Sequence, residues 1–454
     1  MADYRKIIKY KVNAICTQPL HIGNALGNKE EVLIHPVDDT PFIQASSLAG
    51  IFRAYHKTAY SEERSDKLFG TRKHEENENS YEAGSLLKFS DGLFLNNKDH
   101  KVLLELRPRV AINRETGTVE ASKNKGTVIQ SGHKFNMEYI GAGAEISFEV
   151  YLYDEEFKED VEDIFAAIHS ENIQIGGQKS NGCGYIRLEG LMRRCFDMVK
   201  AEDRKLWAME DCLEEKQYED ILSTLNSSSK VQKKYEVIVE GKTENELLVK
   251  SIAVSDYGKE APDAMNIRNA KKEYIVPGSS LKGAVRSQME KIAGYLGQSK
   301  VISDSFGVKG NGEESGSIGN LSFYDTIVGE KEDNDKAEIS YRIHIDKFTG
   351  GVFQQGLFSE KNISGNLRFK ITIADRNQPD KTCGLLLMAL RDLGIGTMNI
   401  GSGYSTGKGI IKVSKILVND PKSGEMAVID FEKNRIENET MISRCILSIQ
   451  EKEA

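Results

Sequence analysis

The residues best placed for chemistry lie in Ile275-Val-Pro-Gly-Ser-Ser-Leu-Lys-Gly-Ala-Val-Arg286 and in the loop before it. A short apolar run enters a small-residue turn, and a serine then caps a helix whose first turn is basic. Such a turn aims backbone N–H groups, a hydroxyl and a cation at one point, which suits a phosphate. Upstream, Asp263 sits in Ala261-Pro-Asp-Ala-Met-Asn-Ile-Arg268. A carboxylate there lies near a phosphate chain held by the helix start. It can orient a 2′-hydroxyl or hold a divalent metal on the scissile phosphate. Taken alone, an Asp beside Pro is more often turn chemistry.

The same stretch has a faded copy, Phe42-Ile-Gln-Ala-Ser-Ser-Leu-Ala-Gly-Ile-Phe-Arg53. Arg109-Val-Ala-Ile-Asn-Arg-Glu-Thr-Gly117 reappears as Arg342-Ile-His-Ile-Asp-Lys-Phe-Thr-Gly350, an offset of 233 (342 less 109) that Ser46-Ser47 and Ser279-Ser280 share. Leu68-Phe69-Gly70 answers to Ser305-Phe306-Gly307, and Gly84–Asp91 to Gly319–Asp325. Late in each half, Gly176-Gly-Gln-Lys-Ser-Asn-Gly-Cys-Gly-Tyr-Ile186 answers to Gly401-Ser-Gly-Tyr-Ser-Thr-Gly-Lys-Gly-Ile-Ile411. Matching segments in one order with nearly constant spacing mark a tandem duplication.

Elements of one kind must position these segments in both halves. Ile7–Cys16 and Tyr235–Glu240 read as first strands, and Leu48, Ile51, Phe52 and Tyr55 fall at helical spacing after the Ser-Ser turn. Glu145–Tyr153 and Asn366–Ala374 alternate as strands. Each leads into a helix, one with Phe157, Val161, Ile164, Phe165 and Ile168 on a face, the other along Leu385–Leu393. Closing strands follow at Tyr185–Leu188 and Ile410–Val413. The order predicts an α+β chain of two tandem ferredoxin-like (βαββαβ) domains with large insertions. Domains are expected at 1–195 and 233–454, with a helical connector at 196–232. Within it, the charged stretch Asp197–Leu225 holds Trp207, and Asn226-Ser-Ser-Ser reads as a flexible joint.

Composition sets bounds. With 454 residues, 39% hydrophobic and 29% charged, the chain reads as soluble, globular and multi-domain. The net charge of −8 argues against an indiscriminate polyanion binder but leaves room for a local basic groove. Cysteines 16, 183, 195, 212, 383 and 445 form no CxxC pair, which disfavours a zinc site or a disulfide framework. The opening Met-Ala-Asp-Tyr-Arg-Lys has no apolar leader, and no run reaches membrane-spanning length. A cytoplasmic protein with no membrane partner is expected.

Other motifs are weaker. Thr406-Gly-Lys-Gly409 fails as a nucleotide loop, because the glycine spacing is wrong and the loop leads into a strand. A bare glycine loop is often only a tight connection, but its recurrence in both halves favours backbone contacts that follow a sugar–phosphate chain. The Arg109–Gly117 and Arg342–Gly350 segments read as hairpins. They are either solvated edges or arms that set a cation on phosphate and an apolar tip between bases. No Ser or Cys sits in a nucleophile elbow, the eight His residues show no HExxH pattern, and none of His21, His35, His56 or His344 has an evident partner.

Taken together, Ile275-Val-Pro-Gly-Ser-Ser-Leu-Lys-Gly283, Phe306-Gly307, Arg342–Gly351 and Gly401–Gly409 resemble the RAMP (repeat-associated mysterious protein) superfamily of CRISPR–Cas systems. The chain looks most like the backbone subunit of type III effector complexes, with two units fused. The resemblance implies RRM-like cores with thumb hairpins, in a subunit that binds CRISPR guide RNA by its backbone and works with target RNA and other effector subunits. It also implies cleavage of complementary target RNA at a loop acid, with Mg or Mn as the divalent metal. RNA contacts are then expected at Ser46, Ser47, Arg53, Arg114, Gly177, Lys179 and Gly182 in the first half. In the second they fall on Arg268, Ser279, Ser280, Lys282, Arg286, Lys347, Gly403, Gly407 and Lys408.

The catalytic, metal-holding acid falls on Asp263, fifteen residues before Gly278 (278 less 263). The first half departs from the pattern: Gln44-Ala45 replaces Pro-Gly, Ala49 stands where Lys282 stands, and the counted-back position is Glu30, so that Glu30 or Glu31 would substitute for the catalytic acid. Guide binding is expected in both halves and cleavage chiefly in the second. Rival readings are a scaffold that holds guide RNA without cutting, and a guide-processing RAMP endonuclease, which usually leans on a His general base.

Overall fold

The computed structural model describes residues 5–23, 29–71, 83–95, 102–110, 112–113, 121–124, 127–132, 134–209, 217–225, 234–251, 262–310, 315–329, 339–420 and 423–450. The chain divides into two compact units. Unit 1 comprises Met1–Glu105, Glu138–Lys179 and Cys183–Val231; unit 2 takes in Leu106–Met137 and Ser180–Gly182 as well as Gln232–Ala454. No helix among the described residues is long and apolar enough to cross a membrane.

Unit 1 is built on β1 (Lys6–Cys16), α1 (Ala45–Ala59), β2 (Leu87–Phe89), β3 (Glu145–Leu152), α2 (Lys158–His169) and β4 (Ile186–Asp197). The sheet order is β4–β1–β3–β2, every pair antiparallel, as the ferredoxin-like order requires. Strand β3 shows why: every second residue is buried, so one face is apolar and must be covered. Helices α1 and α2 cover it, and Phe165 meets both Tyr10 (ring centroids 5.3 Å apart) and Phe52 (5.6 Å).

Unit 2 repeats the plan with β5 (Lys234–Thr243), α3 (Gly278–Leu296), β6 (Leu321–Phe323), β7 (Asn366–Ala374), α4 (Pro379–Gly394) and β8 (Ile411–Asp420). Its order, β6–β7–β5–β8, is the same, extended by Glu425–Asp430 and Arg435–Glu437. Val237, Val239, Leu281, Val285, Phe369, Ile371, Leu386 and Leu390 share one core. The sheet's other face carries cross-strand ion pairs, Lys370–Glu236 (2.9 Å) and Arg368–Glu240 (3.3 Å), which cancel its charge. A hairpin, Ile339–Ile345 with Val352–Lys361, projects between β6 and β7 in sequence.

The helical connector was expected in the stretch after β4. Among its described residues Ala201–Ala208 is an α-helix and Leu222–Thr224 a 3-10 turn, while Glu219–Asp220 pairs with β4 and Ile221 enters the core of unit 1. Trp207 explains the docking, since its ring meets Phe196 (5.1 Å) and Tyr151 (5.9 Å) edge-on. The expected joint, Asn226–Ser229, lies outside the described residues.

Candidate nucleic-acid interface and acid loop

The start of α3 differs from the expected serine cap. Pro277 is the cap residue and makes no side-chain bond; Gly278 opens the helix, with Ser279 and Ser280 in its first turn. Asp325 takes the capping role, accepting from the Gly278 N–H at 2.8 Å. In unit 1, Gln44 likewise makes no side-chain cap, and Asp91 accepts from the Ala45 N–H at 2.7 Å. Both aspartates end the aligned segments Gly84–Asp91 and Gly319–Asp325, a signal the sequence carried. A carboxylate therefore already sits at each helix start, and the helix dipole is not what is left to attract a phosphate.

What remains in unit 2 is a cluster of cations. Burial, then repulsion from the Arg286 and Arg109 guanidiniums, lowers the Lys282 ammonium to about 8. Its Nζ donates to Ser180 Oγ at 2.7 Å. Arg286 Nε is paired with Glu290 (2.8 Å) one helical turn on. Arg107 pairs with Asp325 at 2.6 Å, with both side chains largely buried. Two glycines let these segments approach. A Cβ on Gly278 would lie 2.1 Å from the Phe323 carbonyl oxygen, and one on Gly182, at φ +72°, would lie 2.4 Å from it.

Asp263 lies at the root of the hairpin. The strand Ala264–Met265 adds in parallel to Val352–Lys361, and Asp263 Oδ2 accepts from Ser359 N (2.7 Å) and Ser359 Oγ (3.1 Å). The side chain is exposed. At the hairpin's far end, Asp346 Oδ1 accepts from Phe348 N (2.7 Å), a local turn that leaves Phe348 fully exposed beside exposed Lys347.

Comparisons with known proteins then decide the family. The RAMP superfamily model matches residues 14–187 and 258–412, well over half of the chain. The chain belongs to the RAMP superfamily. Among solved structures, it is similar to a chain in the cryo-EM structure of the Type III-B Cmr-beta bound to cognate target RNA. That match has 16% identity and a TM-score of 0.32, and takes in 41% of this chain and 61% of that one. This chain therefore spans about three fifths of its structural neighbour. No curated protein matches.

The remaining residues fall into place around these two RAMP units. Gly403 (φ +84°) and Gly407 (φ +76°) flank the turn Tyr404–Thr406, where Tyr404 is exposed. Lys408, expected on RNA, turns inward instead. Its Nζ lies 2.7 Å from Glu360, 3.2 Å from Glu246 and 2.8 Å from Asn362 Oδ1, and the side chain is 3% exposed. Glycines on either side gave it the look of a surface loop residue, but its three acceptors lie far away in sequence. Arg268 stacks over the Tyr274 ring (4.3 Å) and donates to its hydroxyl. In unit 1, Arg53 pairs with Asp66 (2.7 Å), Gly177 N donates to His21 O (2.9 Å), and Ser46 and Lys179 are exposed while Ser47 is half-buried. Glu30 is half-buried, its carbonyl accepting from Glu138 N (2.8 Å). Arg114 lies outside the described residues.

The expectation that no histidine has a partner is also corrected. His56 Nδ1 lies 2.7 Å from Ser65 Oγ, and Nε2 lies 2.8 Å from Asp160 Oδ2. Arg64 binds the same carboxylate through Nε (2.6 Å) and Nη2 (3.1 Å). This is a Ser–His–Asp set in composition, but all three side chains are buried and no substrate can reach them. It holds α1 to α2.

Proposed function

We propose that this RAMP protein is a backbone subunit of a type III CRISPR effector complex, holding guide RNA by its phosphates and cutting paired target RNA at Asp263. The observation that carries the reading is the Lys282–Arg286–Arg109 cluster. Burial and the two neighbouring guanidiniums disfavour the Lys282 charge, and a phosphate bound beside the ammonium would offset part of that cost. A phosphate backbone, touched without reading its bases, is the anion that a RAMP unit of this kind would take. The exposed apolar hairpin, with Tyr341, Ile343, Ile345 and Phe348, supports an arm that separates bases.

A divalent metal would be held at Asp263. Among the described residues no group of three or more His, Cys, Asp or Glu forms a cage. Asp263 alone offers a carboxylate whose Oδ2 is fixed by Ser359, so its Oδ1, together with RNA phosphate oxygens, would hold the ion. Bound there, a hard cation supplies charge neutralisation at the scissile phosphate. Ser359 aims the carboxylate, and the cation cluster holds the guide. The first unit, with Ala49 in place of Lys282 and Glu30 in place of the acid, binds guide as a scaffold.

The test is the complex assembled with its partner subunits, guide and complementary target. Asp263→Ala should bind target as wild type does and lose cleavage in Mg or Mn. Lys282→Ala should lower guide occupancy. An Asp263→Ala complex that still cuts at every position refutes the catalytic assignment; normal guide occupancy in Lys282→Ala refutes the phosphate site.

A further inference from the structure

Four consecutive residues at the end of the outgoing hairpin strand tie together segments far apart in sequence. Ser359 holds Asp263, through its N–H (2.7 Å) and Oγ (3.1 Å) to Oδ2, and its Oγ accepts from Asp263 N at 3.1 Å. Glu360 holds Lys408 of the glycine loop at 2.7 Å and Arg342 of the incoming strand at 3.4 Å. The Lys361 carbonyl accepts from Asn266 Nδ2 at 3.0 Å. Asn362 accepts from Lys408 (2.8 Å) and donates to Glu246 (2.8 Å) and Ser340 Oγ (2.7 Å). Lys408 thus finds three acceptors for its three donors, in a place where an ammonium costs most to bury.

We propose that Lys408 and Glu360 form a positioning pair for Asp263. The pair locks the outgoing hairpin strand to the glycine loop, and the backbone N–H of Ser359, which cannot move without that strand, sets where the carboxylate points. An apolar pair would hold the strand at lower desolvation cost, so the charged pair is suited to fixing one register rather than adding stability. The two repeats agree. In the aligned glycine loops the position of Lys408 is Cys183 in the first half, where the acid position is Glu30 rather than Asp. Pin and aspartate are lost together. The inference rests on the reading of Asp263 as the cutting residue.

Lys408→Met keeps the volume and removes the charge, and Glu360 keeps Arg342 as a partner, so the fold has a way to survive the change. The first readout is hydrogen exchange on the isolated full chain. Lys408→Met should speed exchange at the Asp263 and Ser359 amides about tenfold and leave α3 unchanged, since local opening exposes only the released segment. The second is single-turnover target cleavage in the assembled complex at matched guide occupancy. There the rate should fall about tenfold or more, as misplacement of a reacting group does, and Lys408→Arg should recover most of both effects. Wild-type exchange at those two amides overturns the proposal. So does faster exchange throughout unit 2, or a cleavage loss that merely tracks lost guide. If wild type itself does not cut and matches Asp263→Ala, the cutting reading fails, and the exchange result still decides whether Lys408 pins the loop.

Discussion

The backbone N–H of Gly278 donates to Asp325 Oδ1 at 2.8 Å, and that bond decides how the helix start works. A carboxylate sits where a phosphate was expected. The same bond joins Ala45 and Asp91 in unit 1, so it is part of the repeated unit rather than an accident of one copy. Under the proposed guide-binding function, attraction for RNA comes from side-chain cations such as Lys282.

The two aspartates should differ in cost. Asp325 also pairs with Arg107, both largely buried, whereas Asp91 is exposed. Asp91→Ala should cost about 1 kcal/mol, the usual worth of a helix cap. Asp325→Ala also removes the largely buried ion pair with Arg107 and should cost more, ~3 kcal/mol. Urea unfolding of the two variants measures the difference, and equal costs would mean that the Arg107 pair adds nothing beyond the cap.

Lys282 gives a pH dependence in two opposite senses. Its folded value of about 8 lies below the ordinary lysine value of about 10.4. Between those values the unfolded chain binds a proton that the folded chain has released, so this group adds stability as pH rises through the window. The proposed RNA binding needs the charge and so runs the other way. Guide affinity should fall about tenfold more between pH 7 and 9 in wild type than in Lys282→Arg, which stays charged throughout. Filter binding across pH at constant salt measures it. Lys282→Met should bind more weakly and yet melt higher at pH 7.

The parts of this protein legible in sequence are those governed by local periodicity. Alternation along Glu145–Leu152 and Asn366–Ala374 placed both central strands, and the Ser-Ser segments placed both first helices within a residue or two. The site was legible only where a residue works through its neighbours in sequence. Asp263 is tied to Ser359, His56 to Asp160 and Lys408 to Glu360, all across long stretches of chain that no local pattern spans. For Lys408 the local signal pointed the wrong way, because flanking glycines read as an exposed loop. The helix cap was half legible: the aligned aspartates were visible, their target was not.

Acid should open unit 1 through Asp160. Burial alone would raise this carboxyl, but the hydrogen bonds from His56 and Arg64 outweigh it and hold it below the ordinary carboxylate range. Stability from a depressed carboxyl is present above the unfolded value of about 3.9 and is lost as pH falls through the folded one. The sole tryptophan, Trp207, packs on Phe196 and Tyr151 in unit 1, so its fluorescence reports this unit alone. Wild type should lose the native signal as pH drops below about 4. Asp160→Asn should be destabilised by ~3 kcal/mol at neutral pH, with a flatter acid limb. An unchanged acid limb would place the acid-sensitive group elsewhere.

Two glycines of α3 should respond to alanine with opposite signs. A Cβ on Gly278 would sit 2.1 Å from the Phe323 carbonyl oxygen and 2.8 Å from that of Asn181, both backbone atoms that cannot turn aside. A Cβ on Gly283 meets nothing within 4 Å. Gly283→Ala should therefore stabilise by up to ~1 kcal/mol, the helix-propensity difference between the two residues. Gly278→Ala gains the same propensity but must push the helix start off Phe323, and overpacking of this kind costs ~1–3 kcal/mol. The first repeat carries Ala45 at the matching place, so the penalty belongs to the surroundings of Gly278 and not to the helix. Thermal melts of the two variants give the signs directly. Because Gly278 lies one turn before Lys282, guide binding should weaken in Gly278→Ala and stay unchanged in Gly283→Ala; a Gly278→Ala protein that melts and binds as wild type does would mean that the helix start has room the 2.1 Å approach denies.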